Sequence, residues 1–406
     1  MKEIHLFNLP EELRIKLNQK YLELLFKSAL EKVGDGKELA KILETRSGNI
    51  YRWRNGSRLI SIKTLQKLSS LLNIPQPEIE RNVIAIKSSS GIINNPKLPI
   101  KICEDLGIVL ASVLGDGGVG YGYAVHYTNS QSCLVDSFLS SVKNVFGEVK
   151  VLYDKIRGSR RQVWLSGVLG KILVQTFGVP RGDKTFLDYE IPKVIFESNE
   201  DVLRKFLRRV FDDEGWVIKS TRSIRISTTI EKDKITFKEG PKRLLDIKIL
   251  LKNLGIRCSG PNKKCERTHT VNGKKVAVED WELNICDRKS LETFAQKVGF
   301  ELETKMSCLM EAINSYKIWK TPQNESLIFF LKNTVQLLLE NGKPFSAREL
   351  ALKSNRTIKR AEYAIQRLKE EGMIKQIEVK TPVYRGSGEP TYTVTEAGLQ
   401  LLFDFK

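Results

Sequence analysis

The sequence predicts an α+β protein in three parts. These are an all-α N-terminal domain, a central domain made of two copies of one helix-strand-strand-helix unit, and a smaller C-terminal domain of helices and strands. Three observations predict it. Two segments, Leu110-Ala111-Ser112-Val113-Leu114-Gly115-Asp116-Gly117 and Arg208-Arg209-Val210-Phe211-Asp212-Asp213-Glu214-Gly215, are each a helical run halted at a carboxylate followed by glycine. The two acids lie 98 positions apart (214 − 116), and the strand and helix patterns after each segment recur in the same order. Outside the pair, the apolar spacing is purely helical up to Leu72 and changes again from Ser326.

Glycine just past a helix end is the expected stop, because it alone enters the left-handed conformation without steric penalty. A carboxylate in that last turn is locally unfavourable, since it adds negative charge to the negative end of the helix dipole. A sequence that does this twice is expected to bring a cation there.

Composition narrows the function classes. A formal charge of +19 is the electrostatic footprint of a polyanion binder. The charge is clustered: between Lys219 and Arg267 there are 14 Lys/Arg against 5 Asp/Glu, and a second run occupies Lys155–Arg161. No apolar run reaches the ~18 residues of a membrane span, and Met1-Lys2-Glu3-Ile4-His5 has no signal-peptide core, so a cytoplasmic, intracellular protein with no membrane partner is expected. The six cysteines form no Cys-x-x-Cys pair. Cys258, Cys265 and His269 are read as packing residues, with metal ligands or a disulfide as the alternative.

The first domain is placed at residues 1–83. Residues 21–33 read as an amphipathic helix, 36–43 as a short helix, 45–48 as a turn, 49–54 as a second short helix and 62–72 as a third. With the small Ala40 where helices cross, this is similar to the helix-turn-helix of phage-repressor-like proteins. The resemblance implies a major-groove helix presenting Ser47, Asn49, Tyr51 and Arg52, with Arg54, Arg58 and Lys63 near phosphates. The alternative is a plain helical bundle. Pro75 and Pro77 end the domain, and residues 84–100, rich in Ser, Gly, Asn and Pro, read as a flexible linker.

The central domain is placed at 101–320, with repeats 101–190 and 191–320. After Gly117 come strand-like residues 123–128, a helix over 134–146 stopped by Gly147, strands at 148–153 and 162–165, and a helix from Val168 to Phe177. After Gly215 the order recurs: a strand at 224–228, a helix from about Pro241 to Gly255, a strand at 276–285 and a helix over 291–298. On these residues the chain resembles the LAGLIDADG (dodecapeptide) family of homing endonucleases. The resemblance implies an αββαββα core with a pseudo-two-fold axis and a saddle of strands above two paired helices. It also implies a metal site at Asp116 and Glu214, holding Mg²⁺ or Mn²⁺, and a nearby lysine assisting catalysis, for which Lys219 is the candidate. Basic residues Arg157, Arg160, Arg161, Arg222 and Arg225 would face double-stranded DNA.

From 321 to 406 the pattern is a helix over 328–339, a capped helix start at Ser346–Ala351, a basic helix over 356–371, and strands at 374–379 and 392–394. The tail Thr395–Leu402 resembles that of winged-helix domains, which implies a groove helix carrying Arg356, Lys359, Arg360 and Arg367 and a wing carrying Lys380 and Arg385. A protein-interaction module is the alternative.

The expected function is a monomeric, site-specific, metal-dependent DNA endonuclease with no organic cofactor; the alternative is a DNA-binding regulator that keeps the fold but does not cut, and an RNA-binding role is a third reading. Three histidines in the whole chain argue against a histidine-based nuclease. One departure from the family's pattern favours the regulator. Ala111 and Gly115 are small, but their counterparts Arg209 and Asp213 are large; these two are expected to pair at i, i+4, or to widen the helix interface and part the acids. The string Gly115-x-Gly117-x-x-Gly120 is rejected as a dinucleotide fingerprint because it follows a helix instead of a strand.

Overall fold

The computed structural model describes residues 3–184, 187–271, 274–315, 326–377 and 390–404, and the chain forms two compact units, Met1–Tyr316 and Lys317–Lys406. The first unit begins with β1 (Glu3–Ile4), β2 (Arg14–Leu17), α1 (Gln19–Val33), α2 (Gly36–Ile42), α3 (Ser47–Arg54), β3 (Ile60–Ser61), α4 (Ile62–Leu72) and α5 (Gln76–Arg81). Asn18 opens α1 by accepting from the amides of Lys20 and Tyr21, and Ser61 opens α4 by accepting from Thr64. Leu25, Phe26, Leu39, Ala40, Ile50, Trp53 and Leu65 face inward from α1 to α4, which closes the short α2–turn–α3 pair over α1.

Two expectations fail here. The N-terminal region is not all-α, and residues 84–100 are not a linker. They form β4 (Val83–Ser88), β5 (Gly91–Asn94) and β6 (Ile100–Lys101), joined by a turn at Ser89-Ser90 and an irregular stretch over 95–99. The reason is apolar: Val83, Ala85, Ile86, Ile93 and Ile100 are buried, a signal that the surrounding Ser, Asn and Pro obscure.

The core continues with α6 (Glu104–Leu114), β7 (Gly117–Val119), β8 (Val125–Asn129), α7 (Ser132–Phe146), β9 (Glu148–Val149), β10 (Val151–Arg157), β11 (Arg160–Leu165), α8 (Gly167–Phe177) and α9 (Lys193–Phe196). The second repeat gives α10 (Glu200–Glu214), β12 (Gly215–Ile218), β13 (Ser223–Glu231), α11 (Lys242–Asn253), β14 (Ser259–Val271), β15 (Lys274–Ile285), α12 (Arg288–Lys297) and α13 (Glu303–Asn314). Two antiparallel sheets result, in the orders β10-β11-β8-β7 and β12-β13-β15-β14, and a five-stranded antiparallel sheet runs β3-β2-β4-β5-β9. β7 and β12 each leave the acid at the end of their motif helix directly, so the two helices and the inner edges of the two sheets meet at one place. The repeats differ in reach: β14 and β15 have 13 and 12 residues where β10 and β11 have 7 and 6.

α6 and α10 pack closely because α6 is small where they touch. A Cβ on Gly107 would lie 2.9 Å from the carbonyl oxygen of Val202, and one on Gly115 would lie 2.7 Å from Oδ2 of Asp213. Both helices are otherwise apolar on this face, through Leu106, Val109, Leu110, Val202, Phe206 and Val210.

The second unit comprises α14 (Ser326–Asn341), β16 (Phe345–Ser346), α15 (Ala347–Ser354), α16 (Ile358–Glu370), β17 (Ile374–Ile377), β18 (Thr391–Val394) and α17 (Glu396–Asp404), with sheet order β16-β18-β17. Ser346 and Glu349 form a capping box at α15, and Thr357 caps α16. Phe330, Leu331, Leu350, Ala361, Ile365 and Leu368 make its core. The wing residues Lys380 and Arg385 lie outside the described residues.

Gly107→Ala should lower stability by about 1–3 kcal/mol, the cost of overpacking against backbone that cannot retreat. Gly48→Ala, with nothing within 4 Å of its added carbon in α3, serves as the uncrowded control and should gain about 0.5–1 kcal/mol. Chemical denaturation of the two variants checks this, and equal midpoints would mean that α6 and α10 can part freely.

Candidate active site

Each motif helix ends against an ammonium group from its own repeat. Lys184 donates to the carbonyls of Leu114 (2.9 Å), Val113 (3.4 Å) and Gly115. Lys305, on α13, donates to the carbonyls of Phe211 (3.2 Å), Asp212 (2.5 Å) and Gly215 (2.6 Å). Val113 and Leu114 are the counterparts of Phe211 and Asp212, so the two lysines are related by the duplication. They supply positive charge at the negative end of each helix, as the dipole requires. Burial, then Arg243, holds Lys184 down to about 8, and burial also lowers Lys305.

Asp116 and Glu214 lie within electrostatic reach of one another and of both lysines. Asp116 is open to solvent on one side, yet loss of hydration and then the charge of Glu214 raise it to about 6, against the pull of Lys184, Lys305 and Arg160. The two acids are then held differently. Asn129, at the end of β8, donates to Oδ2 of Asp116 (2.8 Å) and faces the hydroxyl of Tyr127 (3.3 Å) and Oδ1 of Asp213 (3.4 Å). Glu214 accepts from the buried guanidinium of Arg243 (3.2 Å), which lies over the ring of Tyr189 at 5.9 Å. Glu214, Arg243, Lys184 and Tyr189 line a cleft of about 270 Å³ together with Ser227, Thr228 and Thr229 of β13.

The two large residues behave otherwise than their spacing suggests. Arg209 forms its ion pair not with Asp213 but with Glu301 (3.1 Å), and donates to Ser137 Oγ (2.6 Å) and the carbonyl of Leu134 (3.2 Å). It is 1% exposed, and its guanidinium engages α7 of the first repeat and Glu301. Asp213 occupies the space that Gly115 vacates. Tyr127 donates to its Oδ1 (2.7 Å), while its buried Oδ2 has no partner among the described residues. Burial and then the charge of Asp116 raise Asp213 to about 8, so at neutral pH it retains its proton.

Other expected residues are scattered. Lys219 is exposed and pairs with Glu311; the lysines that face the acids are Lys184 and Lys305, which no local pattern in the sequence marks because they lie far along the chain. Arg161 makes a bidentate pair with Asp154 (2.9 and 2.8 Å) and reaches Asp136 on α7 (2.7 Å), so it braces the helix side of the sheet. Arg157 and Arg160 are exposed at the β10–β11 tip, and Arg157 and Lys155 lie over the ring of Tyr153. Arg225 lies 3.6 Å from Glu282, and Arg222 donates to Ser315 Oγ (2.9 Å).

On α3, Ser47, Tyr51, Arg52 and Arg54 are exposed, whereas Asn49 is held by Thr45 (2.7 Å) and Arg58 (2.7 Å). In the second unit Lys359, Arg360 and Arg367 are exposed on α16, and Arg356 lies over Phe329 at 5.6 Å. None of the six cysteines is in a disulfide, and Cys265 donates to Asp280 (3.2 Å). Among the described residues no helix is long and apolar enough to cross a membrane, and no group of three or more His, Cys, Asp and Glu could hold a metal.

Residues 201–299 match the model of the family described as LAGLIDADG-like domain, so the second repeat carries that fold. Among characterised proteins the chain is similar to a glutamine–fructose-6-phosphate aminotransferase of Methanocaldococcus jannaschii, 24% identical over 314 residues, 77% of this chain and 26% of that protein. It is also similar to a tRNA-splicing ligase RtcB of Pyrococcus furiosus, 30% identical over 137 residues, 33% of this chain and 13% of that protein. The chain thus spans about a quarter or less of the length of these relatives. Among solved structures, I-DmoI in complex with DNA and Mn aligns with 49% of this chain and 97% of its own at 16% identity and TM-score 0.30. Full-length DUF199/WhiA from Thermatoga maritima aligns with 67% and 92% at 13% identity and TM-score 0.33.

The unfolded chain releases the proton of Asp213 near pH 3.9, whereas the native state keeps it to about 8. The native state therefore binds more protons across that window, and stability falls as pH rises from about 4 through about 8. Denaturation midpoints in metal-free buffer should show this slope, and Asp213→Asn should flatten its upper part. An unchanged slope in that variant would place the titrating group elsewhere.

Proposed function

We propose that this protein is a site-specific double-stranded DNA endonuclease of the homing type, acting with Mg²⁺ or Mn²⁺ at Asp116 and Glu214. What supports the reading is that these two carboxylates, one from each repeat, lie within electrostatic reach of one another and of Lys184 and Lys305. The donor set fits a hard divalent cation. Both ligands are oxygens, and burial and then the charge of Glu214 raise Asp116 despite Lys184, Lys305 and Arg160. With no third acidic or histidine ligand among the described residues, the remaining positions would fall to water and phosphate. Bound there, such an ion lowers the pKa of water and neutralises charge on the reacting phosphate.

The chain's own residues do the rest. Asn129 and Arg243 fix the two carboxylates from opposite sides. Lys184 and Lys305 keep the floor of the site positive where a phosphodiester would lie. The exposed Lys155, Arg157 and Arg160 beside Tyr153, with Lys263, Lys264 and Arg267 on the longer β14–β15 hairpin, suit a cradle for the backbone of a duplex. On this reading α3 belongs to a helix-turn-helix and α16 to a winged helix, both adding DNA contacts.

The Arg243–Glu214 ion pair favours a second reading, a regulator that binds DNA without cutting, because an arginine already neutralises one of the two acids. The readings differ in their need for metal. Nuclease activity requires Mg²⁺ or Mn²⁺ and is abolished by EDTA, whereas a regulator's affinity for its operator is indifferent to both.

Asp116→Asn and Glu214→Gln should each reduce double-strand cleavage of a randomised plasmid library more than about a hundredfold, with duplex affinity retained in gel-shift assays. Lys305→Ala should reduce cleavage, and Lys219→Ala should leave it within about twofold. Wild-type protein that never cuts in either metal defeats the nuclease reading.

A further inference from the structure

We propose that the N-terminal module and the duplicated core are one rigid reading head, so that α3 and the sheets of the core engage a single duplex at one fixed spacing and helical phase. This rests on the DNA-binding reading above and goes beyond it, since modules joined by a flexible tether would tolerate many spacings.

The inference comes from the joint. Where a linker would lie, β5 sits between β4 of the N-terminal module and β9 of the first repeat, pairing Ile93 with Val149 and Asn94 with Glu148. A second ladder joins the extremities of the module: Glu3 pairs with Lys101 and Ile4 with Ile100, immediately before α6. A third contact lies at the β4–β5 turn, where the carbonyl of Ser90 accepts from the amide of Gly167 (3.1 Å) at the start of α8. The backbones are in direct contact, too: a Cβ on Gly147 would come within 2.3 Å of the carbonyl oxygen of Asn95. Ile86 and Ile93 belong to the same continuous apolar core as Phe146, Leu169 and Ile172.

A hinge needs a few residues whose dihedrals can change without breaking contacts. Here, turning the module would break the β5–β9 ladder and the Ser90–Gly167 hydrogen bond and expose part of that core. Meanwhile α3 keeps Tyr51, Arg52 and Arg54 exposed, beside a cleft of about 620 Å³ lined by Arg46, Arg52 and Arg58. That surface is basic and carries an aromatic side chain, and it is held in one orientation relative to the acid pair.

The test uses the full-length protein. A target is selected from a randomised duplex library by binding in metal-free buffer, and footprints of the wild type and of a Tyr51→Ala/Arg52→Ala double variant mark the block that depends on α3. These two side chains are exposed, so the variant keeps its fold. Duplexes with 5 or 10 base pairs inserted between that block and the remainder are then compared by titration. The expected result is that either insertion weakens wild-type binding by about tenfold or more, down to the affinity of the double variant, because ~17 or ~34 Å of added length exceeds what a rigid joint can follow. Insertions tolerated within about twofold, or a double variant that binds as tightly as wild type, overturn the inference while leaving the DNA-binding reading intact. Failure of the wild type to retain any duplex defeats both.

Discussion

The structure depends on the packing of α6 against α10, two helices that bring their negative ends and a carboxylate each to the same place. Such an arrangement is electrostatically costly, and three features make it stable. Apolar residues and glycine line the contact, so the backbones come close enough for dispersion and burial to favour it. A lysine from each repeat caps the last carbonyls. Neighbouring polar groups then hold the acids in place, with Asn129 on Asp116 and Arg243 on Glu214.

Duplication made this site, yet its two halves have diverged chemically. The first repeat supplies Tyr127 and Asn129 from β8, whereas the equivalent register positions of β13 are Ile226 and Thr228. The second repeat supplies Asp213 and Arg209 from its helix, where the first has Gly115 and Ala111. These differences interlock: Asp213 fills the space left by Gly115 and takes a hydrogen bond from Tyr127, while Arg209 crosses to α7 of the other repeat. A large residue in the second helix is thus accommodated by a small one in the first. The pair that spacing alone marks as an obstacle to close packing is therefore part of the interface.

The corrections share one origin. Residues 84–100 carry turn-forming Ser, Gly, Asn and Pro, and that composition masks a short alternation of buried Val83, Ala85, Ile93 and Ile100. Strands of two to six residues give too few alternations to stand out, and the pairing of β5 with β9 depends on residues 54 and 56 positions away (148 − 94 and 149 − 93). Arg161 is basic and next to an exposed hairpin tip, yet strand parity turns it to the helix side, where Asp154 and Asp136 take it. Lys219 is near Glu214 in sequence, but the turn after β12 carries it to Glu311.

The amino-acid sequence by itself determined the helices and most strands of the repeats, their order, and the two carboxylates that close the motif helices. These arise from periodicity, which acts within a few residues and can be read from the chain alone. The glycines after the two acids, by contrast, do not enter the left-handed region and instead sit where a side chain would strike neighbouring backbone. Tertiary structure decided which cations meet those acids and whether the modules are hinged or welded. Lys184 and Lys305 reach carbonyls 69 to 94 positions away, and contacts at that range are set by how whole elements pack, a geometry that no local pattern encodes.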